Sequence, residues 1–140
     1  MALSASKLKV GDTRREVVAE NLSRTQIVQY AGSSGDYNPL HTDELYVTKM
    51  AGYPTVFAHG MLTMGATGRV ITDWVGADRL LSYGARFVKQ VWPGDTLTAT
   101  ATVESIEEGD EGPVASFTVE TVNEAGDRVL SGTATARLDP

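Results

Sequence analysis

Two periodicities divide the chain. Over residues 58–76, AHGMLTMGATGRVITDWVG, apolar residues recur around most of a helical circumference: Met61, Leu62, Met64, Val70, Ile71, Trp74 and Val75. A stretch that is apolar nearly all round predicts a buried helix. From about Gly60 to Val75 it is roughly 24 Å long at about 1.5 Å per residue. From Gly84 onward the period changes to two. Leu97, Ala99, Ala101 and Val103 alternate with threonines, as do Ala115, Phe117 and Val119 with Ser116, Thr118 and Glu120. Leu130, Gly132, Ala134, Ala136 and Leu138 share one parity. That is the pattern of half-buried antiparallel strands. Trp92–Asp95, Glu107–Gly112 and Asn123–Asp127 supply the turns between them.

Upstream the pattern is shorter. Glu16–Ala19 reads as a brief strand, and SRTQIVQYAG as a helix with Ser23 as N-cap, Gln26 in the capping-box position and Gly32 as its end. A second short helix is expected after Thr42, its cap, before Gly52 and Pro54 break the chain. One long helix and at least four strands pack most economically as an α+β domain, a curved antiparallel sheet wrapped around the central helix. One domain over residues 1–140 is expected. An uncovered sheet edge in such a layer favours pairing of two protomers.

Composition narrows the function. The hydrophobic fraction of 41% and charged fraction of 21% are ordinary for a soluble globular protein. The net charge of −6 speaks against a nucleic-acid partner. No apolar run reaches membrane-spanning length and the start lacks a secretory stretch, so no membrane association and a cytoplasmic location are expected. With no cysteine, disulfides and thiol catalysis are excluded.

The candidate chemistry lies in residues 32–41, GSSGDYNPLH. Glycine and Pro39 disfavour regular structure, leaving a loop that carries Asp36, Asn38 and His41. A carboxylate and an imidazole form a general acid–base pair, although Asp and Asn also stabilise turns with no further role. The second histidine, His59, precedes Gly60 at the start of the long helix. Free N–H groups there, with no side chain on Gly60, offer a donor site for an oxyanion; the plain alternative is a tight helix entry. Asp36, His41, Asp43 and His59 have ligand chemistry, but none shows a recognised spacing such as HExxH, so no metal is expected. Ser33 and Ser34 lack a nucleophile-elbow context, and GSSGD lacks the lysine of a phosphate loop.

YAGSSGDYNPLH, with FAHGMLTMG some twenty residues on and the later turn VWPGD, resembles the hydratase motif of the MaoC-like family of (R)-specific enoyl-CoA hydratases and 3-hydroxyacyl-thioester dehydratases. The resemblance covers nearly the whole chain and implies the hotdog fold. It implies that Asp36 and His41 hold a water for attack on C3 of a trans-2-enoyl thioester, that Gly60 N–H polarises the thioester carbonyl, and that Asn38 orders the loop. It further implies no cofactor beyond coenzyme A or acyl carrier protein as substrate carrier, and a homodimer or a heterodimer with another hotdog subunit. Some members carry a serine further along the central helix; here the region reads MGATGRV, with Thr67 as a substitute. Gly65 is a candidate for making room for an acyl chain, with His59, Tyr53, Phe57 and Trp74 lining it. Arg69, Arg79, Arg86 and Lys89 are candidates for carrier phosphates. The competing readings are the catalytic subunit of a heteromeric dehydratase, a hotdog thioesterase with its acid on the central helix, and a non-catalytic acyl-binding partner. Asp73, at the far end of that helix, speaks against the thioesterase.

Overall fold

The computed structural model describes residues 3–140. Five strands form one antiparallel sheet in the order β1-β3-β4-β5-β2, where β1 is Thr13–Ala19, β2 Leu80–Phe87, β3 Leu97–Gly109, β4 Gly112–Val122 and β5 Arg128–Arg137. Helix α1 is Arg24–Ser34 and the central helix α2 is Gly60–Val75. The sheet curls around α2, which packs against all five strands. This is the hotdog arrangement. No helix among the described residues is long and apolar enough to cross a membrane.

The period-two pattern explains the curl. Ala99, Ala101, Ala115, Ala134 and Ala136 face inward and are fully buried or nearly so. Their small side chains let the helix face formed by Val70, Ile71 and Val75 approach the strands closely. Trp74 packs on Phe117 with ring centroids 5.6 Å apart, so it belongs to the core and not to a ligand pocket. The alternating threonines face outward, and Thr102 lies opposite Thr13 on one side and Thr118 on the other.

Several expectations change in detail. Helix α1 has the predicted capping box between Ser23 and Gln26, but it continues past Gly32 to Ser34 and ends at Gly35, whose φ of 76° is left-handed. Ala31 carries the buried face there alongside Ile27, so the turn of helix beyond Gly32 is kept. The second short helix is a wide π-type turn at Tyr46–Met50. Residues 44–45 lead into it helically, and the side chain that accepts an N–H at this start is Asp43, from Tyr46 at 3.1 Å, rather than Thr42. Strand β2 starts at Leu80, ahead of Gly84. Finally, α2 is not buried all round: Met61, Gly65, Arg69 and Asp73 form an exposed stripe.

The glycines divide by environment. At Gly65 a Cβ would meet nothing within 4 Å, so the residue is not needed for close packing. At Gly68, by contrast, a Cβ would stand 3.1 Å from the Tyr83 ring, whose hydroxyl donates to the Met64 carbonyl at 2.7 Å. At Gly132, on β5, a Cβ would stand 2.2 Å from the Gly84 carbonyl oxygen of the paired strand. Backbone there has no room to give. Gly65→Ala is therefore expected to stabilise by up to about 1 kcal/mol, the helix-propensity gain, and Gly132→Ala to destabilise by about 3 kcal/mol or more. Urea denaturation of both variants checks this; equal effects would contradict it.

Candidate active site

The loop after α1 is built from its own side chains. Asp36 Oδ1 accepts the Asn38 N–H at 3.2 Å, and Asn38 Oδ1 accepts the Leu40 N–H at 3.0 Å. The Asn38 carbonyl then accepts the His41 N–H at 3.0 Å. These nested turns are what short Asx side chains do best. The loop is pinned from the other side by residues ahead of α2: Phe57 N–H donates to the Leu40 carbonyl at 3.3 Å, and the Phe57 carbonyl lies 2.6 Å from His41 Nδ1. Ala58 N–H in turn donates to the Val91 carbonyl at 2.8 Å. Asn38 thus orders the loop through backbone bonds.

The result places Asp36 Oδ2 and His41 Nε2 4.0 Å apart. That is too long for a direct hydrogen bond and right for one water bridging the two. The imidazole is almost fully covered, whereas the Asp36 side chain is 53% exposed. Nδ1 donates to Phe57, so the neutral ring presents its Nε2 lone pair toward Asp36. Burial lowers the His41 pKa below its ordinary value, reinforced by the neighbouring His59 and opposed by the Phe57 carbonyl and the Asp36 charge. The ring is a neutral proton acceptor at pH 7.

His59 is the N-cap of α2 and is buried. Its Nε2 donates to the Asp36 carbonyl at 3.0 Å, and its ring stacks on His41 with centroids 3.8 Å apart and planes 24° apart. Tyr30 of α1 closes the other side, edge-on to His59 at 4.9 Å. His59 therefore supports the loop and the His41 ring from beneath. Gly60 follows directly, and among the described residues neither its N–H nor that of Met61 has an intramolecular acceptor. A Cβ on Gly60 would come within 2.8 Å of the Phe87 ring.

Asp36, His41 and His59 offer ligand atoms all within 4.8 Å of one another, a closeness that their sequence spacing does not reveal. Asp43 stands apart as a cap. The stack argues against a single ion: half the 3.8 Å ring separation is already close to a whole zinc–nitrogen bond of about 2.0–2.1 Å, so an ion between the rings would sit above their planes, out of line with the lone pairs.

The remaining candidates divide. Tyr53 and Phe57 stand beside the site, 5.0 Å apart, with Phe57 edge-on to His41 at 5.3 Å and to Trp92 at 5.7 Å. Thr67 is fully buried, and its hydroxyl bonds Thr121 of β4 at 2.5 Å, so it is spent on the core and does not stand in for a helix serine. Gly65 faces outward, as above. Gly60 and Phe57 also border a cavity of about 240 Å³ with Thr63, Phe87, Lys89, Gln90 and Val129. Sequence reasoning had no signal for Thr63, Phe87 or Val129, because they meet only through the sheet. Tyr30 stands three residues after buried Ile27, a spacing that puts both on one face of α1.

With the geometry in place, likeness to known proteins is informative. The profile of the MaoC like domain matches residues 6–125. The chain belongs to the MaoC-like domain family. It is 35% identical over 128 residues to an (R)-specific enoyl-CoA hydratase of Rhodospirillum rubrum, covering 86% of this chain and 83% of that protein. It is 44% identical over 68 residues to 3-hydroxyacyl-thioester dehydratase Y of Mycobacterium tuberculosis, covering 46% of this chain. That match spans only 23% of the relative's length. Among solved structures, an unliganded R-hydratase of Pseudomonas aeruginosa superposes with TM-score 0.82 at 24% identity, covering 99% of this MaoC-like chain and 86% of the other. The ChsH1-ChsH2 complex of M. tuberculosis gives 0.76 at 22%, covering 93% and 98%. Both share the fold.

Burying a neutral His41 has a pH signature. Its folded pKa lies below the unfolded value, so the folded protein binds fewer protons just below pH 6.5. This contribution to stability is fully present above that pH and declines as pH falls through the folded pKa. The midpoint of thermal unfolding is expected to drop between pH 7 and 5.5, and His41→Gln to flatten that slope. An identical slope in the variant would contradict the assignment.

Proposed function

We propose that this chain is a hydro-lyase that reversibly adds water to trans-2-enoyl thioesters, giving (R)-3-hydroxyacyl thioesters. The observation that carries the reading is the 4.0 Å gap between Asp36 Oδ2 and His41 Nε2, next to a helix N-terminus whose Gly60 N–H is uncommitted. Names of relatives on both sides of the reaction, an enoyl-CoA hydratase and a 3-hydroxyacyl-thioester dehydratase, support it.

In this mechanism one water lies between the two side chains. Asp36 accepts one O–H and orients the molecule. His41 Nε2 takes the other proton as the oxygen attacks C3. Electrons move from the C2–C3 double bond toward the thioester carbonyl, and Gly60 N–H stabilises the enolate oxygen. The proton on His41 then passes to C2. Dehydration runs the same steps in reverse. Each task is met by the chain's own residues and the thioester carrier, coenzyme A or acyl carrier protein. A thioesterase would need an acid on α2. Its sole carboxylate there, Asp73, sits exposed near the far end.

The free edge of β2, where Leu81 is 56% exposed, supports assembly with a second hotdog subunit, identical or different. Asp36→Asn and His41→Ala are each expected to lower kcat on crotonyl-CoA by about 100-fold or more, followed through loss of enone absorbance. Wild-type turnover by both would sink the mechanism.

A further inference from the structure

The loop that carries Asp36 and His41 is tethered to the chain ahead of α2 at both of its ends. Phe57 takes the His41 end: its N–H donates to the Leu40 carbonyl at 3.3 Å, and its carbonyl accepts from His41 Nδ1 at 2.6 Å. His59 takes the Asp36 end, where its Nε2–H donates to the Asp36 carbonyl at 3.0 Å. The other bonds of Asp36 are local: its N–H donates to Ser34 Oγ at 3.2 Å, and its Oδ1 accepts from Asn38. Its side chain is half exposed and has little packing to hold it. Among the described residues, His59 is thus the one hydrogen-bonded link between Asp36 and the start of α2.

An N-cap residue does not ordinarily do this. Ser, Thr, Asp or Asn there turns an oxygen onto the N–H groups of its own helix. His59 makes no such bond and reaches across 23 positions of sequence instead. A carbonyl only accepts, so the His59 proton is on Nε2, and Nδ1 is left as a buried lone pair with no partner among the described residues. An unmatched buried atom has a cost, and the first turn of α2 is kept clear of a competing acceptor. The ring is fixed as well as its proton. It is 1% exposed and packs between His41, with centroids 3.8 Å apart, and Tyr30 at 4.9 Å.

We propose that His59 is a positioning residue that acts through Asp36: its bond to the Asp36 carbonyl holds the carboxylate at bridging-water distance from His41 and in fixed register with the Gly60 N–H. The proposal deepens the hydro-lyase reading and rests on it. The Phe57 tether orients the base, and the His59 tether orients the anion. The two anchors are two residues apart in sequence, so the loop and the helix start form one body. Breaking the His59 bond frees Asp36 and leaves the Phe57 grip on His41 intact. The loss therefore runs through Asp36 and falls on the chemical step, where a small misplacement of a reacting group is costly.

The test separates this role from that of a histidine that only packs. His59→Phe keeps a ring against His41 and Tyr30 and removes the N–H. It is expected to lower kcat on crotonyl-CoA by about 10-fold or more, with KM within about 2-fold of wild type. In an Asp36→Asn background the backbone carbonyl remains and the carboxylate is gone. There the same change is expected to cost less than about 2-fold, because residues that act as a unit are not additive. An equal cost in both backgrounds, or a wild-type kcat for His59→Phe, overturns the proposal. A second measurement needs no substitution at position 59. The chain has two histidines, so the two-bond proton–nitrogen correlation spectrum of the wild-type imidazoles contains two rings, and His41→Gln assigns them. The Nε2–H tautomer of His59 is expected, and the Nδ1–H tautomer overturns the proposal. Absence of turnover on any trans-2-enoyl thioester by wild type would contradict the hydro-lyase reading, while the tautomer in the same protein still decides whether the tether exists.

Discussion

Everything in this molecule depends on how closely α2 lies against the strands. Alanine at five inward positions, with valine, leucine and phenylalanine between them, lets the sheet bend around a helix it nearly touches. Each buried apolar side chain contributes about 1.5–3 kcal/mol relative to exposure, and the helix face with Val70, Ile71 and Val75 is buried throughout. That packing also fixes where the helix begins. Gly60 is held between the His59 stack on one side and Phe87 on the other, so the N-terminus of the helix is placed by the core and not by a flexible loop.

The core and the site were legible in different ways. The bounds of α2 and the inward positions of β3, β4 and β5 follow from periodicity alone, because burial repeats with the backbone. The capping box at Ser23 was equally plain, since both partners lie within three residues. Thr67 misled for a physical reason. Its hydroxyl finds Thr121, 54 residues away, and such a pair is set by sheet register, which sequence spacing does not encode. The same blindness hid the nearness of His59 to His41. Eighteen positions apart in sequence, they meet where Phe57 N–H donates to the Leu40 carbonyl and the Phe57 carbonyl accepts from His41 Nδ1.

Electrostatics in the site come from covering one partner and leaving the other wet. His41 is pressed between Phe57 and His59 and kept neutral by burial. Asp36 faces solvent. A few ångströms therefore separate a base with an available lone pair from an anion that accepts hydrogen bonds. This contrast needs no unusual residue, only a loop whose Asx turns aim two ordinary side chains at one point.

The bond from His41 Nδ1 to the Phe57 carbonyl has one more consequence. Beyond that carbonyl the Phe57 ring packs against Tyr53 and Trp92. With Nδ1 committed to the carbonyl, the proposed mechanism leaves Nε2 as the ring atom that takes a proton up and gives it back. In that mechanism the base ends each cycle as it began, whichever way the reaction runs, and the ratio of the two thioesters relative to its equilibrium value sets the direction of flux.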